Sequence, residues 1–175
     1  MIVVTGAAGF LGSATVWGLN QRGEHDILCV DTRPSVDSCA NLAPLQYADY
    51  QQHGVFLAAM VRGEYRGRLR GVIHLGACSS TTETNWTYLR ENNLEYSEML
   101  CRATLDSGAR YIQASSAATY GDGAKGYRDD HAGLDALRPL NLYARSKHEF
   151  DLWARDCGAL DRIASVKYFN VYGPN

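Results

Sequence analysis

Short apolar runs rich in Val, Ile and aromatic residues alternate along this chain with longer stretches whose apolar residues recur at helical spacing. MIVV (1–4), DILCVD (26–31), GVIHLGA (71–77), RYIQASSA (110–117) and RIASVKYFN (162–170) predict five strands, and QYADY (46–50) a shorter sixth. After the first strand, Phe10, Ala14 and Trp17, with Leu11 and Gly18, predict a helix ending near Gly23. Residues 83–107 predict the longest helix, with Trp86, Leu89, Leu94, Met99 and Leu105 as its apolar positions. Residues 143–158 predict another, on which Phe150, Ala154 and Cys157 share a face with Tyr143 and Lys147. Strand, helix and strand in repetition imply βαβ units, hence an α/β fold with a doubly wound parallel sheet covered on both faces. GDGAKGYRDDHAGLDALRPL (121–140) breaks the alternation. So long a loop within a compact domain is usually functional, and its place before a Tyr-bearing helix suits an active-site lid.

Composition narrows the picture without changing it. The 175 residues suit one domain, 46% hydrophobic and 21% charged, and the net charge is −2. No block of like charge suggests a nucleic-acid or membrane footprint. Cys29, Cys39, Cys78, Cys101 and Cys157 form no C-x-x-C pair, so neither a zinc site nor a redox motif is expected. Reduced thiols in a cytoplasmic protein are the simple reading. The apolar start MIVVTGAAGF lacks a basic n-region and is interrupted by glycines, so it does not read as a signal peptide, and no apolar run approaches membrane-spanning length. The histidines (25, 53, 74, 131 and 148) lack metal-ligand spacing, and His74 reads as a satisfied core residue within its apolar strand.

TGAAGFLG places Gly6, Gly9 and Gly12 between the first strand and the first helix. Glycine there permits a tight turn, close approach of a pyrophosphate and close helix–sheet packing, while the helix start offers unpaired N–H groups. The spacing is G-x-x-G-x-x-G rather than the standard dinucleotide fingerprint, and three small residues can also serve packing alone. Asp31 at the end of the second strand strengthens the nucleotide reading, because an acid there binds the adenosine ribose hydroxyls. Arg33, two positions on, can meet a 2′-phosphate, which favours NADP while leaving NAD open. The pattern therefore implies a Rossmann-type αβα domain over residues 1–175.

NLYARSK sets Tyr143 and Lys147 four residues apart on one helix face. A neighbouring ammonium favours phenolate, giving a general base, and the lysine can also reach a nicotinamide ribose. ASSAATYG places Ser115 and Ser116 at a strand end, where open α/β sheets bind ligands. Y-x-x-x-K alone is common on amphipathic helices. Its combination with the glycine loop and a strand-end serine is specific. No nucleophile-elbow G-x-S-x-G is present, which disfavours a hydrolase.

These residues resemble the extended short-chain dehydrogenase/reductase superfamily, through TGAAGFLG, HLGA, SSAATYG, YARSK and YFNVYGP. Within it the chain looks most like the ADP-heptose 6-epimerases, through GACSSTTE (76–83), ENN (91–93) and ASSAATYG. The resemblance implies removal of a hydride from C6 of an ADP-heptose and its return to the opposite face, with NADP as cofactor, in the synthesis of lipopolysaccharide core precursors. It implies Tyr143 as the base, Lys147 as cofactor ligand and tuner of Tyr143, and Ser116 as the catalytic serine. Phe10 and Leu11 match pyrophosphate contacts, and Asp31 and Thr32 ribose contacts. Leu75, Gly76, Ala77, Cys78, Ser79, Asn92 and Val171 match cofactor-lining positions, and Ser79, Ser116 and Asn170 substrate contacts. A homo-oligomer is implied as well.

The chain also departs from that family. Leu75 stands where an acidic residue is expected, and basic residues expected near Ser38 and His53 are replaced, with Arg33 as compensation. Ala117 and Ala118 stand where sister 4,6-dehydratases carry an Asp-Glu pair, which sets water elimination aside. Family members carry a C-terminal substrate domain and a second catalytic lysine after YFNVYGP, so the chain reads as the cofactor half cut at that junction. Exposed apolar surface and association are then expected. Two alternatives stand beside a 6-epimerase: another nucleotide-sugar epimerase, such as a UDP-sugar 4-epimerase, and a dinucleotide-binding module without turnover.

Overall fold

The computed structural model of the chain describes residues 1–173; Pro174 and Asn175, the end of the turn expected there, lie outside the described residues. Six strands, β1 (Ile2–Thr5), β2 (Ile27–Asp31), β3 (Asp49–Gln52), β4 (Gly71–His74), β5 (Arg110–Ser116) and β6 (Ala164–Tyr168), form one sheet in the order β3-β2-β1-β4-β5-β6. β1 pairs in parallel with β2 on one side and β4 on the other, so Thr5 faces Val30 and His74. The chain runs outward from β1 to β3, then returns across β1 to β4. That reversal is the switch point at which doubly wound sheets bind ligands. Ile27, Leu28, Cys29 and Val30 are all buried, the continuous apolar run of a strand covered on both faces.

The chain divides into two compact units, residues 1–76 with 99–112 and 173, and residues 77–98 with 113–172; β5 contributes to both. In the first, Val4, Ala7, Val16, Ile27, Cys29 and Leu42 form the core. Helix α1 (Phe10–Asn20) buries Gly12, Ser13 and Val16 and leaves Trp17 57% exposed. The expected large-residue face is therefore turned outward. A Cβ on Gly12 would lie 1.9 Å from the Gly6 carbonyl oxygen, so only the small-residue face fits against the loop. Helix α2 (His53–Val61), absent from the sequence reading, packs on β2 and β3 through Phe56, Ala59 and Met60. Its HGVFLAAMV sequence is apolar nearly all round, so no stripe marks it; its start is set by Gln52, whose side-chain oxygen accepts from the Gly54 and Val55 amides.

The expected helix over 83–107 runs without a gap from Trp86 to Asp106, with a π-helical stretch inside it. Asn85 caps α3 (Trp86–Leu89), a π-helical turn follows (Arg90–Glu95), and α4 (Tyr96–Asp106) then begins and continues into the first unit. Within the π-helical turn Asn93 and Leu94 are the buried residues. Helix α5 (Leu142–Asp156), capped by Asn141, buries Ala144, Ser146, Lys147, His148, Phe150, Asp151 and Ala154. Cys157 lies just past its end and is exposed, not on the buried face. The 121–140 loop is closed at its base: Gly121, at φ 67°, approaches Arg138 so closely that a Cβ would sit 2.1 Å from the Arg138 carbonyl. Within the loop, Leu134 and Leu137 pack with Tyr120.

Candidate functional site

In the first unit the residues around the glycine loop hold one another in place. Gly6 has φ +65°, and a Cβ there would meet the Gly76 backbone at 2.8 Å, so glycine is required on both conformation and space. Gly9 precedes α1 with no side-chain cap, leaving the amides of the first turn, including those of Phe10 and Leu11, without a capping partner. Ala8 is gripped from both sides: its N–H donates to Asp31 Oδ2 at 2.9 Å, and its carbonyl accepts from Asn41 Nδ2 at 3.0 Å. Asp31 Oδ1 accepts from the Thr32 amide at 2.8 Å. Asn41 escaped the sequence reading, and nothing in its neighbourhood singles it out.

Arg33 is exposed and donates to the Ser38 carbonyl at 2.7 Å, while its own carbonyl accepts from Tyr50 at 2.8 Å. The loop carrying Thr32 and Arg33 is thereby folded back onto itself. At the other side of β1, Thr5 Oγ1 meets His74 Nδ1 at 2.6 Å and accepts from the Gly76 amide at 3.1 Å. His74 is 1% exposed, a satisfied core residue as expected. Leu75 is half-buried and packs on the first unit's core, so its apolar side chain is used in packing.

The second unit gathers the remaining candidates. Ser116 ends β5, is 8% exposed, and accepts from the Ala118 amide at 3.2 Å, capping the short 3₁₀ turn Ala117–Tyr120. Tyr143 lies half-buried in the first turn of α5. One turn later Lys147 is 3% exposed, and its ammonium donates to the Ala114 carbonyl at 3.0 Å. Burial pushes Lys147 down from 10.5 to about 8, against the opposing pull of Asp151 and Cys78. Ala77 and Ser79 are exposed, and Asn170 and Val171 extend exposed beyond β6. Tyr120 donates to Asp129 Oδ1 at 2.8 Å, tying the 121–140 loop to the strand end. Burial foremost, then Asp129, pushes the Tyr120 phenol up to about 12.

The Cys78 segment is held by Asn93 rather than by its sequence neighbour. Asn93 is fully buried; its Oδ1 accepts from the Cys78 amide at 2.8 Å, and its Nδ2 donates to the Cys78 carbonyl at 2.9 Å and to Ser146 Oγ at 3.0 Å. Asn92 is half-buried and donates to the Tyr88 carbonyl at 2.8 Å. Asn93 follows Leu89 by four residues, on the predicted apolar stripe, and a polar residue on such a stripe is a signal that was available.

Known proteins match this arrangement throughout. The model of the NAD dependent epimerase/dehydratase family matches residues 2–175. The ADP-L-glycero-D-manno-heptose-6-epimerase of Nitratidesulfovibrio vulgaris (strain DP4) is 51% identical over 175 residues, covering 100% of this chain and 54% of that protein. The chain thus spans about half the length of the curated relatives it matches. The Thermus thermophilus UDP-glucose 4-epimerase, solved in complex with NAD, superposes with a TM-score of 0.75 at 27% identity, over 99% of this chain and 56% of that one. The Helicobacter pylori ADP-L-glycero-D-manno-heptose-6-epimerase shares the fold, with a TM-score of 0.79 at 24% identity over 99% and 56% of the respective chains. With glycine loop, strand-end acid and Tyr-x-x-x-Lys helix all in place, the chain belongs to the NAD dependent epimerase/dehydratase family.

Proposed function

We propose that this chain is the dinucleotide-binding part of an ADP-L-glycero-D-manno-heptose 6-epimerase, inverting C6 of an ADP-heptose by transient oxidation and re-reduction. The observation that carries the chemistry is the buried Lys147, one helical turn beyond Tyr143 and bonded to β5 two residues before Ser116. The substrate class is supported by the 51% identity to the Nitratidesulfovibrio enzyme.

The residues present fit a bound dinucleotide. Gly12 and Gly6 leave no room for a Cβ, and the first turn of α1 keeps its amides uncapped, as a pyrophosphate requires. Asp31 stands at the end of β2, where it can accept from ribose hydroxyls while fixing the loop through Ala8. The nicotinamide, when bound, supplies hydride acceptance and return. Tyr143 takes the proton from the sugar hydroxyl as hydride leaves carbon, and returns it on reduction. Lys147 in its ammonium form stabilises the Tyr143 phenolate, and the Ser116 hydroxyl donates to the reacting oxygen. Arg33, the exposed cation two residues past Asp31, favours NADP over NAD by meeting a 2′-phosphate. The family's homo-oligomer and cytoplasmic location belong to the same reading.

Incubating the chain with ADP-D-glycero-D-manno-heptose and following C6 by NMR tests the proposal. Appearance of the L-glycero product, lost in Tyr143→Phe, is the expected result. The alternative outcome is a dinucleotide-binding module without turnover. Dinucleotide binding with unchanged sugar would support it, and turnover of a UDP-sugar at C4 instead would replace the substrate. Titration with NADP and NAD, repeated on Arg33→Ala, decides the cofactor; equal affinities in the parent chain would remove Arg33 from its role.

A further inference from the structure

Helix α5 buries a carboxylate that the chemistry above does not use. Asp151 lies two turns beyond Tyr143 and one beyond Lys147, and is 2% exposed. Its Oδ2 accepts from Ser115 Oγ at 2.8 Å and from Lys167 Nζ at 2.7 Å, and its Oδ1 accepts from Ser165 Oγ at 2.9 Å. Lys167 also donates to Thr119 Oγ1 at 2.7 Å and lies 5.1 Å from the centre of the Tyr120 ring. A buried charge is expensive, and Asp151 is met here by partners from β5 and β6, while the half-buried Lys167 is met by α5 and the Ala117–Tyr120 turn.

These bonds bracket Ser116. On its N-terminal side α5 grips two consecutive residues of β5: Lys147 takes the Ala114 carbonyl and Asp151 the Ser115 hydroxyl. On its C-terminal side Thr119 Oγ1 donates to the Ser116 carbonyl at 2.8 Å, and Thr119 is itself held by Lys167. We propose that Asp151 is a positioning residue which, through Ser115 and through Lys167 and Thr119, fixes the Ser116 hydroxyl relative to Tyr143 and Lys147. The proposal rests on the Ser-Tyr-Lys reading above. Stability alone does not account for such a pair, because replacing both charges with apolar groups is often neutral.

The test uses isotopically labelled 175-residue chain and two NMR signals. Exchange of the Ala118 amide reports Ser116, whose hydroxyl it donates to. The Lys147 side-chain titration reports the helix face, where Asp151 and Cys78 oppose the effect of burial. The double variant D151N/K167M removes both charges, so no unpaired charge stays buried; Ser115→Ala removes one arm and leaves the ion pair intact. Both are expected to unfold cooperatively, yet to exchange the Ala118 amide faster by about tenfold. In D151N/K167M the Lys147 titration moves to lower pH, and Asp151→Glu, which keeps the charge, retains it near its original place. Unchanged Ala118 exchange in folded Ser115→Ala, with unchanged Lys147 titration in the double variant, overturns the proposal. Should the double variant not fold, the Ala118 exchange of Ser115→Ala decides alone. The Tyr143→Phe assay is separate: turnover surviving that change would retire the Ser-Tyr-Lys reading, whereas altered NMR signals would still locate Asp151's hold on Ser116.

Discussion

Lys147→Met should make this chain more stable at neutral pH, by an amount that vanishes as pH rises. Lys147 is 3% exposed and sheds its proton near pH 8 when folded, against 10.5 ordinarily. That separation of roughly 2.5 units corresponds to about 3 kcal/mol. Between those values the unfolded chain holds a proton that the folded chain has lost, so stability rises with pH across the window. Below pH 8 both states are charged and the full cost of burying the ammonium is felt. Methionine keeps the apolar stem, removes that cost, and forfeits the bond to the Ala114 carbonyl, worth about 1 kcal/mol at every pH. The variant is therefore expected to exceed the parent by about 2 kcal/mol near pH 7, fall level near pH 9.5, and be the weaker by about 1 kcal/mol above pH 10.5. Urea melts of both chains at half-unit pH steps measure the difference directly, since other titrating groups cancel. A difference flat to within about 0.5 kcal/mol across the window would refute the reasoning. The same substitution should abolish any turnover, a stability gain made at the expense of the site.

Other substitutions separate neighbouring roles. Gly12→Ala drives a Cβ to 1.9 Å from the Gly6 oxygen; a loss of about 3 kcal/mol and of dinucleotide affinity is expected in melts and binding titrations. Asn93→Leu strands both backbone groups of Cys78 and should cost about 3 kcal/mol. Asn92→Ala, losing one bond to the Tyr88 carbonyl, should cost under about 1 kcal/mol; melts giving the reverse order would reject the assignment. His148 is buried with its Nδ1 unpartnered, and burial pushes it below its ordinary 6.5. The unfolded chain then takes up protons first as pH falls, so stability drops through about pH 6.5 and below. His148→Leu should flatten that acid limb in thermal melts between about pH 7.5 and pH 5.

Where residues announce their own backbone, the sequence was readable. Six strands and the Gly6–Gly12 loop were legible because β-branched runs and glycine spacing act locally, and Asp31 was legible from its distance to that loop. Helix α2 was not, because HGVFLAAMV carries no polar face to set a period. The π turn at Arg90–Glu95 was invisible for a different reason: its one-residue shift depends on burying Asn93 against Cys78 and Ser146, partners 15 and 53 positions away. The same distinction governs the candidate site. Tyr143, Lys147 and Ser116 carry recognisable spacing, whereas Asn41 and Asp151 act through bonds to other segments and leave no local pattern; Asn93 shows only as a polar residue on an apolar stripe.

Those distant bonds explain why spacing alone could not place the chemistry. Y-x-x-x-K fixes Lys147 one turn from Tyr143, and its ammonium also donates to the Ala114 carbonyl, so the motif is joined to β5 before any ligand arrives. Asp151 repeats the grip one turn further along at Ser115. Two adjacent residues of one strand are therefore held by two side chains on one helix, and a shift of β5 by one residue would break both bonds together. Such a doubled attachment fixes register in a way that either bond alone would not. Ser116, next in line, inherits its position from them.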